Sequence, residues 1–288
     1  IDYETAMAAN SPQRDFGPRS GDDLYMLYTG GTTGMPKGVV WRHHDVFFAL
    51  GGGIDQTNGN VVDHPQQVLD RGSNMELCML PAPPLMHGAT QWAVMGGAFE
   101  GRKQVLMAKF DASAVWKLVE QEKINGLFIT GDAMARPLIE SYLEMKGSVD
   151  TSSLFLIASS AVVFSQTLKE QFLEQFPNLM LLDSIGSSET GGNGILLAEK
   201  GKTAMQGGPT VKPGPGCVVL DPESLEVLKP GSETVGRLAS TGFIPLGYYK
   251  DEKKTAETFI TGPDGRRYSM PGDFAKVEAD GTITVSRW

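Results

Sequence analysis

Leu24–Asp45 reads LYMLYTGGTTGMPKGVVWRHHD: an apolar run, a loop of Gly30, Gly31, Thr32, Thr33 and Gly34, then Lys37 after Pro36, then a second apolar run. Glycines in a turn let backbone N–H groups converge on one point, and threonine hydroxyls add donors. A nearby lysine brings a mobile positive charge. The pattern is that of a phosphate cradle. The plain alternative is a flexible surface loop, and the apolar run before and lysine after favour the cradle. A Walker loop would follow its lysine with Ser or Thr to hold Mg²⁺, whereas Lys37 precedes Gly38. The dinucleotide pattern G-x-G-x-x-G is missing here too.

Outward from the loop, composition narrows the classes. The chain has 288 residues, 41% hydrophobic and 20% charged, which suits one large or two smaller globular domains. A net charge of -9, with no long Lys/Arg cluster, argues against a nucleic-acid partner. Two cysteines, Cys78 and Cys217, exclude a disulfide scaffold and a four-cysteine zinc site, and fit a reducing, cytoplasmic setting. No apolar stretch has the length of a transmembrane segment. Residues 1–23 read as a polar connector, and the start at Ile1 suggests a piece of a longer protein.

From Leu24 to about Leu182 short apolar runs alternate with helical periods, among them ELCMLP, DASAVWKLVEQEK with Asp111 as N-cap, GLFIT, SQTLKEQFLEQF and LMLLDS. The alternation predicts an α/β fold, a mainly parallel sheet flanked by helices, over residues 24–203. Ligands of such sheets bind beyond the carboxyl ends of the strands, which singles out the loops after Thr29, Leu80, Thr130, Ser159 and Ser184. A Gly/Asn-rich stretch to about Ser73 reads as a mobile loop. Residues 204–288 carry frequent Pro and Gly and short alternating runs, with ADGT as a hairpin turn; they predict a β-rich, barrel-like subdomain.

YTGGTTGMPKG resembles the signature loop of the adenylate-forming enzymes: acyl-CoA synthetases, luciferases and peptide-synthetase adenylation domains. Four further stretches resemble that family's motifs in its order: LPAPPLMHG (Leu80–Gly88), DSIGSSETG (Asp183–Gly191), GYYKDEKKTAETF (Gly247–Phe259) and YSMPGDFAKVEADG (Tyr268–Gly281). The resemblance covers nearly the whole chain. It implies a two-step ligation: a carboxylate attacks the α-phosphorus of ATP to give acyl-adenylate and pyrophosphate, and CoA then displaces AMP. It also implies that an N-terminal subdomain and a C-terminal domain with its catalytic lysine lie outside this chain. The surface where they would dock makes a homo-oligomer one expectation.

The same resemblance implies the site residues. Thr29, the 30–34 loop and Lys37 would steady the β- and γ-phosphates. Ser188 would lie near the α-phosphate, and Glu189 would hold Mg²⁺, which prefers hard oxygen ligands shared with phosphate. Asp183, Ser184, Ile185, Gly186, Ser187, Ser159, Ser160 and Ala161 would line the nucleotide slot. Asp273 would accept both ribose hydroxyls, with Arg287 beside the ribose. His87, Gly88, Gly131 and Met134 would wall the acyl channel, although core packing is an equal reading of Gly131 and Met134. Taken singly, Glu189 and Asp273 read as ordinary loop acids, and His43, His44 and His64 as structural. Three departures stand out: Ile185 replaces the expected adenine-stacking aromatic, Ser160 and Ala161 replace a double glycine, and the chain ends at Trp288. PPLMHGATQW offers no acid to pair an ammonium, so the implied substrate is a plain apolar acid. TGDAMARPL, DSIGSSETG and GYYKDEKKTAETF together resemble stretches of actinobacterial fatty-acid-CoA ligases, including a branch acting on sterol side-chain acids. A phosphotransferase or ATPase using the same loop, and a nucleotide-binding fragment without turnover, are the alternatives.

Overall fold

The computed structural model describes residues 2–29, 35–55, 58–74, 76–198 and 210–286. Its helices are α1 (Tyr3–Ala8), α2 (His43–Leu50), α3 (Gln66–Ser73), α4 (Gly88–Phe99), α5 (Ala112–Glu122), α6 (Gly131–Met145), α7 (Gln166–Gln175) and α8 (Glu252–Thr258). The strands are β1 (Leu24–Thr29), β2 (Lys37–Arg42), β3 (Cys78–Pro81), β4 (Lys103–Gln104), β5 (Gly126–Ile129), β6 (Leu156–Ser160), β7 (Met180–Ser187) and β8 (Gly191–Ala198). They continue as β9 (Thr210–Pro213), β10 (Cys217–Leu220), β11 (Gly236–Thr241), β12 (Gly247–Tyr248), β13 (Phe259–Thr261), β14 (Arg267–Ser269), β15 (Phe274–Val277) and β16 (Ile283–Ser286).

The alternating segment builds the parallel sheet β4-β3-β5-β6-β7 as the sequence predicts. Asp111 caps α5 by accepting from the Ala114 N–H at 2.8 Å. Apolar faces of α5, α6 and α7 close on these strands around Trp116, Leu127, Leu138 and Phe172, all buried. The indole N–H of Trp116 donates to the Leu138 carbonyl, so the largest core side chain leaves no orphan donor.

Three expectations are corrected. β1 and β2 do not join the parallel sheet. Only seven residues separate Thr29 from Lys37, too few for a crossover, so the strands pair antiparallel with Thr29 opposite Lys37. With β12 they form a separate three-stranded sheet, β1-β2-β12. The stretch read as a loop up to Ser73 contains α3. The β-rich part forms no closed barrel among the described residues. β8 turns back antiparallel to β7, β9 pairs β8 and β16, and the strands of 210–286 other than β12 extend the parallel sheet into a thirteen-stranded mixed one. No helix among the described residues is long and apolar enough to cross a membrane.

Candidate functional site

The small sheet meets the β7–β8 turn of the large one through Trp41 and Tyr248, and carries Lys37 there. Lys37 opens β2, and Tyr248 in β12 is paired to Val39 two residues along. Lys37 Nζ stands 5.4 Å from the centre of the Tyr248 ring and 3.3 Å from Asp251 Oδ2. On its other side Tyr248 donates its hydroxyl to Glu189 Oε1 at 2.8 Å. Burial raises the Tyr248 phenol pKa, and the Glu189 charge raises it further, so the phenol stays a neutral donor. Asp251, the N-cap of α8, is held below the usual carboxylate range by the Lys254 N–H and then by Lys37.

Glu189 sits in the tight turn between β7 and β8. Its backbone is fixed from two sides: the Ser269 hydroxyl donates to the Glu189 carbonyl at 2.6 Å, and the Trp41 indole to the Ser188 carbonyl at 3.0 Å. Ser187 Oγ accepts from the Glu189 N–H at 3.2 Å. Gly186 follows a bulge after Ile185, where a Cβ would lie 2.2 Å from the Gly191 carbonyl oxygen, so only glycine fits. Trp41, Tyr248 and Ser269 are the supports that sequence reading missed. Tyr248 and Ser269 fall in the stretches Gly247–Phe259 and Tyr268–Gly281, but they lie far from Glu189 along the chain and nothing local couples them to it.

The other predicted nucleotide residues are spread along the same edge. Ser159 is buried and accepts from the Gly131 N–H at 3.0 Å; Ser184 Oγ donates to the Ser159 carbonyl and Ser160 Oγ to the Ser184 carbonyl, each at 3.2 Å. Asp183 forms an ion pair with Lys169 of α7; burial raises the Asp183 pKa, and the lysine partly offsets that. Ile185 packs against the core of the β-rich part. Ala161 is exposed with φ 71°, a left-handed conformation that favours the glycine it replaces. Asp273, after Gly272, begins the approach to β15, four residues beyond Ser269. Gly30, Gly31, Thr32, Thr33, Gly34 and Arg287 lie outside the described residues.

A cavity of about 400 Å³ lies between the sheet and the helices α2 and α4. Its floor takes Gln104, Met79, Phe128, Ala158, Ser184 and Ile195 from successive strands, and its roof includes Leu50, Trp92, Ala93, Gly96 and Gly97. The four residues predicted to wall an acyl channel do not line it. Met134 is buried in the core under α6, and Gly131 is filled in by the Val162 and Val163 carbonyls. Gly88 abuts Leu27, and His87 is the exposed N-cap residue of α4. A second hollow, along residues 221–232, opens to solvent and carries no motif residue. Among the described residues no cluster of His, Cys, Asp and Glu could hold a metal ion unaided.

The arrangement can place a cation and a carboxylate either side of one tyrosine, at the mouth of strands that floor an apolar cavity. Known proteins are similar to this chain. The chain is 50% identical over 290 residues to a 3-oxocholest-4-en-26-oate–CoA ligase of Rhodococcus rhodochrous, and 50% over 289 residues to a medium/long-chain-fatty-acid–CoA/3-oxocholest-4-en-26-oate–CoA ligase of Mycolicibacterium smegmatis. Each match covers 99% of this chain and 52% of the relative, so the chain spans about half the length of the curated relatives it matches. The fold is also that of the N-terminal subdomain of Klebsiella oxytoca NpsA, solved with 3-hydroxyanthranilyl-AMSN, with TM-score 0.78 and 22% identity over 100% of this chain and 71% of that one. The profile of the AMP-binding enzymes matches residues 2–249, and the chain belongs to the AMP-binding enzyme family.

Proposed function

We propose that this chain is the nucleotide- and acid-binding part of an ATP-dependent, AMP-forming acid–CoA ligase. The observation that carries the reading is the Lys37–Tyr248–Glu189 constellation beside the cavity. In this reading ATP lies along the carboxyl edge of the strands. Lys37, with Thr29 and the 30–34 loop, holds the β- and γ-phosphates, and exchanges Asp251 for phosphate when ATP arrives. Ser188 lies near the α-phosphate, and Asp273 with Arg287 takes the ribose. Residues 159–161 and 183–187 frame the base, chiefly through backbone, because the serine hydroxyls and the Asp183 carboxylate are already engaged internally.

Glu189 fits a magnesium ion that enters with the nucleotide. It is a single hard-oxygen donor, its backbone is locked, and only Oε1 of its carboxylate takes a hydrogen bond from the described residues. No protein cage is needed, because Mg²⁺ draws its remaining ligands from phosphate and water. When bound, the ion would offset charge on the departing pyrophosphate. The residues of the chain contribute position and electrostatics: Lys37 and the Ser188 turn hold the phosphates in line with the acid, and the cavity holds the acid's body away from water.

The acid is an apolar carboxylic acid, either a fatty acid or a sterol side-chain acid, as the names of the relatives suggest. CoA then takes the acyl group. Residues 24–203 supply the α/β unit, 204–288 the β-rich unit and 1–23 a connector. The free, buried Cys78 and Cys217 support a cytoplasmic setting. The test is product analysis of the whole protein with ATP, Mg²⁺, CoA and a panel of carboxylic acids. AMP and pyrophosphate formed in step with a thioester are expected. Release of ADP and phosphate would overturn the reading in favour of a phosphotransferase or ATPase.

A further inference from the structure

The cavity floor from Ser184 through Ala158, Phe128 and Met79 to Gln104 takes one residue from each of β7, β6, β5, β3 and β4. Neighbouring strands lie about 4.8 Å apart, so this row covers about 19 Å. At the Ser184 end the chain runs on into Ser188 and Glu189. At the other end stands Gln104, on the edge strand.

Gln104 is unusual in that both ends of its carboxamide, Oε1 and Nε2, are buried with no hydrogen-bond partner among the described residues. Swapping the two atoms would not mend this, since neither is paired. A buried amide left unpaired on both sides is costly and calls for a partner. Its neighbour Arg102 has Nε 2.6 Å from Glu100 Oε2, an ion pair that meets its charge although the geometry is not that of a hydrogen bond. Gln104 has no such answer. It is tucked beneath α4 at Gly97, where a Cβ would lie 1.8 Å from Nε2. No polar bond fixes its three torsions there; the residue lines the cavity, and a turn about those torsions would bring the amide, now inaccessible beneath α4, to face it. The lining residues Ala93, Gly96 and Ala158 are small.

We infer that Gln104 is a specificity-determining residue that pairs with an oxygen at the far end of an extended, rigid acid, remote from its carboxylate. The inference rests on the cavity being the acid's site. A carbonyl oxygen there accepts from Nε2; a hydroxyl can instead donate to Oε1. A plain fatty acid offers neither and leaves the amide unpaired. A site built to hydrogen-bond a substrate oxygen discriminates strongly against the analogue lacking it. The small lining residues admit a flat ring system, and the amide gives its remote oxygen a defined place.

Trp92 is in the cavity wall, so quenching of tryptophan fluorescence reads acid binding to the 288-residue chain without turnover. The probes are a 3-oxo sterol 26-carboxylic acid, its 3-hydroxy counterpart and the same acid lacking the 3-oxygen. The oxo acid is expected to bind about tenfold more tightly than the deoxygenated acid. Gln104→Leu should abolish that ratio, so that the oxo and deoxygenated acids bind alike. Gln104→Glu should lose the oxo acid's advantage but keep the hydroxy acid's, a split that misfolding cannot produce. An oxo preference that survives in Gln104→Leu, or no preference in the unsubstituted chain, would overturn the inference. Binding of none of the three acids removes the cavity reading and this inference together. Binding with preference, but ADP rather than AMP from the whole protein, overturns the ligase and leaves the inference standing.

Discussion

A carboxylate proposed to meet Mg²⁺ must be aimed while keeping its charge, and the Tyr248 hydroxyl bond to Glu189 would do this. Burial raises the phenol's pKa, so the hydroxyl donates its proton to the carboxylate without giving it up. Tyr248→Phe removes that bond and keeps the ring under Lys37. Hydrogen bonds to charged groups are worth about 1.5–3 kcal/mol, so adenylate formation by the whole protein should fall about tenfold or more. The Mg²⁺ concentration for half-maximal rate should rise, with the urea midpoint nearly unchanged. An unaltered Mg²⁺ titration with a lowered midpoint would reduce Tyr248 to a packing residue. The sequence made Glu189 legible through its place in GSSETG, but not Tyr248, 59 positions away, because nothing local couples them. Ala161 was visible as a replaced glycine, while its left-handed backbone is a fact of three dimensions.

Among the elements, those with their own period and caps were readable: α5 with Asp111, α7, and the strands of the parallel sheet. β1 was read as a strand but assigned to the wrong sheet, since an apolar run does not name its partner, and the run that forms β2 was assigned to no sheet. α3 went unread because Gly, Asn and Gln around it mask a helix with only Val68 and Gly72 buried. The joint between α7 and β7 is Lys169 with Asp183, whose side chains are only 8% and 17% exposed. Lys169→Met leaves Asp183 desolvated without its counter-charge and should cost about 3 kcal/mol at neutral pH. The sign with pH follows. Burial already raises the Asp183 pKa, and loss of the lysine raises it further. The penalty is therefore full above that folded-state pKa and is relieved below it. Urea unfolding at pH 7.5 and pH 5 should show the variant's deficit shrinking at the lower pH; a deficit that grows would show the pair to be held by something other than charge.

Across the molecule, composition divides the chain near residue 204, yet one sheet runs through both parts by way of β8, β9 and β16. Cross-links reinforce it: Asn193 accepts from the Gly214 N–H at 2.8 Å and from the Ser240 hydroxyl at 3.4 Å, and Ser269 reaches Glu189. Urea unfolding of this chain should accordingly be a single transition, with tryptophan fluorescence and far-ultraviolet circular dichroism superimposing. Two separated midpoints would make the parts independent. The clamp on the Ser188–Glu189 turn also bears on biosynthesis. Its supports, Trp41, Tyr248 and Ser269, lie on both sides of the turn in the chain. Contacts so distant in sequence form late, after local helices and neighbouring parallel strands. A nascent chain that has left the ribosome only as far as α8 already has Lys37, the cavity floor and Glu189, but lacks the Ser269 hydroxyl that fixes the turn. Assembly of the clamped Glu189 turn is thus coupled to synthesis of nearly the whole described chain.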